Sequence, residues 1–152
     1  MLQKEIKEAL FIKCKEFVNK RLQTVEDVIS SNQKALQSET KSSAGDKHET
    51  GRAMLQLEME KASHQLAGIA IMKTVLSKID ITKTDKIAHL GSLIITEKGK
   101  FFLSISAGQI TINNDSYYAI SVSSPIGKIL LGKKENEEYF FNNIKNKIIA
   151  IN

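Results

Sequence analysis

Two apolar stripes at coiled-coil spacing, separated by a polar gap, constrain this chain more than any other feature. Phe11, Cys14, Val18, Leu22, Val25, Ile29, Asn32 and Leu36 follow one another at steps of 3, 4, 4, 3, 4, 3 and 4. Leu55, Met59, Ala62, Leu66, Ile69, Met72, Leu76 and Ile79 follow at steps of 4, 3, 4, 3, 3, 4 and 3. Both are seams of long amphipathic helices, the first with one stutter and one polar seam position, Asn32, which reads as a device that fixes helix register. Between them, residues 37–50 carry a single apolar side chain, Ala44, and include the turn-forming run Ser42-Ser43-Ala44-Gly45. A buried stripe cannot continue through such a stretch, so the chain must reverse there. The expectation is an antiparallel coiled-coil hairpin over residues 2–79 with its turn between Ser38 and Asp46. At roughly 1.5 Å per residue its length is on the order of 50 Å.

The period changes near Asp80. Seven of the nine aromatics lie beyond residue 100, and short alternating runs predict strands at Ser92–Glu97, Phe101–Ser106, Gln109–Ile112, Tyr117–Val122, Glu137–Phe141 and Lys145–Ile151. One short helix interrupts them, with Ser124 as N-cap, Pro125 at the first helical position and Gly132 closing it. The fold class is therefore α+β. Residues 1–80 are expected to form the hairpin, with its tip near 38–50, and residues 81–152 a small antiparallel β domain with one short helix.

Composition narrows the function classes. The net charge is +5, spread as 13 basic and 11 acidic residues before position 81 and 9 and 6 after it. A nucleic-acid binder that tracks phosphates concentrates basic charge on one face, so no specific DNA binding is expected. No apolar run approaches the length of a membrane span, and the start of the chain shows no leader pattern, so a cytoplasmic protein without a membrane partner is expected. The single cysteine, Cys14, sits in a seam and reads as a small buried hydrophobe. His48, His64 and His89 have no Cys or His company at metal-ligand spacing. The pairs Phe101-Phe102, Tyr117-Tyr118 and Phe140-Phe141 suggest an aromatic peptide pocket only until strand alternation is applied, since adjacent residues face opposite sides.

The segment Ala119-Ile120-Ser121-Val122-Ser123-Ser124-Pro125-Ile126-Gly127-Lys128-Ile129-Leu130-Leu131-Gly132-Lys133-Lys134 resembles the Ser-Pro-hydrophobic-Gly-basic, Leu-Leu-Gly-Lys signature of the C-terminal domain of bacterial Gre transcript-cleavage factors. Gly45-Asp46-Lys47-His48-Glu49 is similar to the Gly-Asp-x-x-Glu of the Gre coiled-coil tip. The order of parts and the length also agree, so the resemblance spans the chain. It implies an N-terminal finger that enters the secondary channel of RNA polymerase. It also implies a C-terminal domain of FKBP-like topology that docks on the polymerase rim through Ser123, Ser124 and Pro125. On this view the factor is not itself an enzyme and stimulates the polymerase's own cleavage of backtracked RNA.

The tip chemistry can be read from the residues as well. Two carboxylates three residues apart at a helix start can share a hard divalent cation, and two alone make a weak site that a partner's ligands would complete. The family role fits: Asp46 and Glu49 hold a Mg²⁺ shared with the polymerase, and none is expected in the isolated chain. The same pair is also an acidic variant of the capping box, and both roles can coexist. Where Gre tips continue Asn-Ala-acidic-Tyr, this chain has Thr50-Gly51-Arg52-Ala53. Lys41, Lys47 and Arg52 make the tip more basic, suited to contacting the RNA 3′ end or to a factor that enters the channel without promoting cleavage. Two alternatives therefore stand beside cleavage stimulation: a non-catalytic channel regulator, and a coiled-coil interaction protein unrelated to polymerase.

Overall fold

The computed structural model describes residues 2–41 and 45–152, with the side chains of 39–41 and 45–49 outside the described set. Helix α1 runs Gln3–Lys41 and α2 runs Gly45–Ser77. The break between them falls inside the window that the polar gap marked for the turn. Strands β1 (Leu93–Thr96), β2 (Lys100–Ser104), β3 (Gly108–Ile112) and β4 (Asp115–Ser121) precede the short helix α3 (Pro125–Leu130). Strands β5 (Glu138–Phe141) and β6 (Ile144–Ile151) follow it.

The chain packs as two compact units. One is Val18–Met72, and the other joins Met1–Phe17 to Lys73–Asn152. In the first, Val18, Val25 and Asn32 on α1 and Ala62 and Ile69 on α2 are buried, and the remaining seam positions are half-buried. Only two helices make up this unit, so each seam is covered by the other helix, as alternating 3 and 4 spacing requires. Asn32 is 6% exposed, and its Nδ2 has no hydrogen-bond partner among the described residues. A buried amide NH₂ without an acceptor carries its desolvation cost uncompensated. Asn32→Leu is therefore expected to stabilise the hairpin by about 1–3 kcal/mol, read as a higher thermal midpoint. An unchanged or lower midpoint would show that the amide does more for the fold than it costs.

The second unit is built on a six-stranded sheet of order β3-β4-β2-β1-β6-β5. Four pairings are antiparallel, and β2–β4 is parallel. An all-antiparallel sheet had been the expectation. The parallel pair arises because the chain leaving β2 passes first to the outer edge as β3. A two-residue hairpin then returns it as β4 in the gap between β3 and β2. That hairpin turns on Asn113 and Asn114 (φ 50° and 69°), and the β5–β6 hairpin turns on Asn142 and Asn143 (φ 54° and 63°). Two consecutive left-handed residues match the strand twist, and asparagine is the side-chain-bearing residue that adopts them most readily.

The central strands carry buried side chains on both faces. Ala88, Ile94, Leu103, Leu130, Tyr139, Ile148 and Ile151 form one core cluster, against which Phe101 and residues of α3 pack. Phe102 and Ser104 alternate to the other face, where Ser104 Oγ lies 3.6 Å from Cys14 Sγ on α1. The first turns of α1 thus belong to the sheet's core, and packing divides the chain at Phe17/Val18 and Met72/Lys73 instead of at the composition break near Asp80. Each aromatic pair splits as alternation requires: Phe102 and Tyr117 are buried beside half-buried Phe101 and exposed Tyr118, and Phe141 is half-buried beside exposed Phe140.

Lys7 is 1% exposed, and its Nζ donates to the backbone carbonyl of Lys83 at 3.0 Å. Burial holds its pKa below the ordinary 10.5, and the nearby Asp80 charge opposes this only in part. A lysine whose folded pKa is lowered binds fewer protons folded than unfolded between the two values, so its contribution to stability rises with pH across that window. Lys7→Met is expected to be more stable than the natural chain near neutrality by about 1 kcal/mol or more. That difference should narrow as pH is raised toward 10.5, the ordinary value. Urea midpoints of both chains from pH 7 upward test it, and a constant gap would contradict the charge as its source.

Candidate functional site

The two motifs singled out in the sequence lie in different units. The first is the turn from β4 into α3. Ser124 has extended backbone (φ −70°, ψ 159°), and its Oγ accepts from the Gly127 N–H at 3.1 Å, so it is the N-cap, with Pro125 beginning the helix. The same hydroxyl donates to the Ser121 carbonyl at 2.6 Å. Ser121 Oγ in turn accepts from the Ser123 N–H at 3.1 Å and lies 2.8 Å from Ser123 Oγ. Gly127 is buried, and a Cβ placed there would stand 2.0 Å from the Ser121 carbonyl oxygen. At the far end, Gly132 takes φ 84° and its N–H reaches the Ala88 carbonyl at 2.8 Å.

The Ser-Pro-x-Gly pattern therefore has a local explanation. Ser124 saturates the α3 start with its one proton and one lone pair, Pro125 needs no acceptor for a missing N–H, and Gly127 admits the β4 carbonyl. Ser123 and Pro125 are exposed, whereas Ser124 is half-buried and engaged with its neighbours. Of the three residues expected to meet a partner, Ser123 and Pro125 are presented outward and Ser124 chiefly shapes the turn.

The second place is the start of α2. The helix begins at Gly45, so Asp46 stands in its first turn and Glu49 follows three residues later, at the spacing that brings two positions onto one helix side. The side chains of Asp46, Glu49, Lys41, Lys47 and His48 lie outside the described residues. Arg52 is half-buried on α2. Among the described residues, no three His, Cys, Asp or Glu side chains come together as a metal site.

The other candidates resolve into packing. His64 is exposed on α2, and His89 Nδ1 lies 3.0 Å from the Ile87 carbonyl and 2.9 Å from Ser92 Oγ. Cys14 is fully buried, and its pKa is pushed up by that burial, with the Ser104 contact opposing the shift. No helix among the described residues is long and apolar enough to cross a membrane. In comparison with known proteins, the chain matches no protein-family model and no curated sequence.

Two structural determinants escaped the sequence reading. Lys7 lies one heptad before Cys14, so the seam spacing pointed to burial and only its charge concealed it. The need for glycine at 127 is set by a carbonyl six residues earlier in the chain, and its spacing from the N-cap Ser124 was the one available signal.

Proposed function

We propose that this chain is a transcription elongation factor that binds RNA polymerase, inserts its helical hairpin into the secondary channel and stimulates the polymerase's own cleavage of backtracked RNA. The observation that carries the reading is a single arrangement. A two-helix hairpin has Gly45-Asp46-x-x-Glu49 where its second helix starts, and it is followed by a sheet domain whose Ser123-Ser124-Pro125 turn presents two of its three residues outward. A narrow hairpin can carry carboxylates into a channel that a globular domain cannot enter, while the sheet domain, of FKBP-like type on the resemblance, holds the factor outside.

In this reading Asp46 and Glu49 offer carboxylate oxygens to a Mg²⁺ shared with the polymerase, and the isolated chain holds no metal. Such an ion supplies charge stabilisation for in-line displacement at the RNA phosphodiester. Lys41, Lys47 and Arg52 contact the RNA 3′ end, and the setting is the cytoplasm. The run Thr50-Gly51-Arg52-Ala53, which lacks an acid and an aromatic, favours a second reading in which the factor occupies the channel without promoting cleavage. Purified cognate polymerase in stalled, backtracked complexes separates these. Shortened RNA on addition of the protein supports cleavage stimulation. Competition with other channel ligands without shortening supports the second reading, and no binding at all leaves a coiled-coil protein unrelated to polymerase.

A further inference from the structure

Helix α2 carries a second heptad stripe that its own hairpin leaves uncovered. Met54, Leu57, Lys61, His64, Gly68 and Ile71 follow one another at steps of 3, 4, 3, 4 and 3, apart from the buried seam. Met54, Leu57 and Ile71 are 63%, 67% and 66% exposed, a large apolar outlay for a helix face with no covering element. Gly68 adds an independent oddity. It sits inside a 33-residue helix, where glycine lowers helix stability, yet a Cβ there would meet nothing within 4 Å. Nothing inside the unit accounts for it.

We propose that this stripe is a docking surface for the α2 helix of a second copy of the chain, packed antiparallel about a two-fold axis between Ala62 and Ser63. That register places Met54 against Ile71 of the second copy, and Leu57 against Gly68 of the second copy, so the most exposed apolar side chain of the stripe meets its one position without a side chain. At the centre, Lys61 faces His64 of the second copy. Glu60 lies one turn from that histidine, within reach of the lysine, so the acidic flank of each helix neutralises the basic centre of the other. Leu57, Glu58, Glu60, Lys61 and His64 line a shallow, open depression at the middle of the stripe. Size and charge complementarity of the stripe with itself, under one rotation, is what an isologous interface demands and an unrelated partner helix would not produce. The inference rests on the hairpin alone, and the polymerase reading concerns the monomer, since a docked second helix would widen the hairpin that has to enter the channel.

The full chain tests it by light scattering over a concentration series. The expected result is a mass rising from 16.9 kDa to twice that value. Gly68→Leu should remain monomeric while keeping its helicity and a melting temperature at least as high, since the site is open and leucine is the better helix former. Met54→Cys chains alone should not cross-link, because like positions lie about 26 Å apart in this register. Mixed with Ile71→Cys chains they should form a covalent dimer. A monomer at every concentration, a dimer that persists in Gly68→Leu, or Met54→Cys chains that join to one another would each overturn the proposal.

Discussion

Gly127→Ala is expected to destabilise the sheet unit by about 3 kcal/mol or more, well beyond an ordinary glycine-to-alanine change. The added methyl would lie 2.0 Å from the Ser121 carbonyl oxygen, 2.9 Å from its carbon and 2.9 Å from Ser124 Oγ. Two of those three atoms are backbone, at the end of a strand held by β3 on one side and β2 on the other. Relief would require α3 to lift away from the cluster in which Leu130 is fully buried. Ser124→Ala should cost less, about 1–2 kcal/mol, because it loses the cap and the bond to the Ser121 carbonyl but introduces no clash. Pro125→Ala should barely move the midpoint, since its ring is exposed. Urea titration followed by strand circular dichroism orders the three, and a Gly127→Ala midpoint equal to that of the natural chain would show that the α3 start is free to shift. On the proposed docking role, Gly127→Ala would weaken polymerase binding only together with the stability of its platform. On the same docking role, Pro125→Ala would weaken binding in a chain that melts normally.

The elements were legible where local chemistry dictates them. Heptad spacing marked both helices, because a stripe at steps of 3 and 4 has no other way to be buried. The turns at Asn113-Asn114 and Asn142-Asn143 marked two hairpins, because side chains that tolerate left-handed backbone are few. Ser124, Pro125 and Gly132 marked the short helix. What stayed hidden depends on residues distant in sequence. The parallel β2–β4 pair follows from where β3 goes, which neither strand encodes. The partition of the chain depends on Cys14 meeting Ser104, ninety residues on, and seam spacing alone does not say whether a seam residue faces a helix or a sheet. The candidate site was legible as a pattern only: Ser124 reads as both cap and docking residue, and the cap is the part its hydroxyl geometry displays.

Asp46→Asn is expected to cut stimulated RNA cleavage on the order of 100-fold, as loss of a ligand charge at a metal centre does, while leaving polymerase affinity and melting temperature nearly unchanged. The substitution keeps the side chain's size and removes its charge. Because α2 begins at Gly45, Asp46 stands in the first turn, where an acid gains typically about 0.3–1 kcal/mol from the helix dipole. At the neighbouring cap position asparagine serves as well as aspartate does. On either account the change in stability is small, so a purely structural role predicts small losses everywhere. A metal role predicts one large loss confined to cleavage, repeated in Glu49→Gln and partly offset by raised Mg²⁺. Cleavage at the natural rate by Asp46→Asn would remove the carboxylate from the chemistry. If the natural chain binds polymerase yet never shortens the RNA at any Mg²⁺ concentration, the replacement of the acidic and aromatic tip residues by Thr50-Gly51-Arg52-Ala53 becomes the informative feature, and the hairpin acts by occupying the channel.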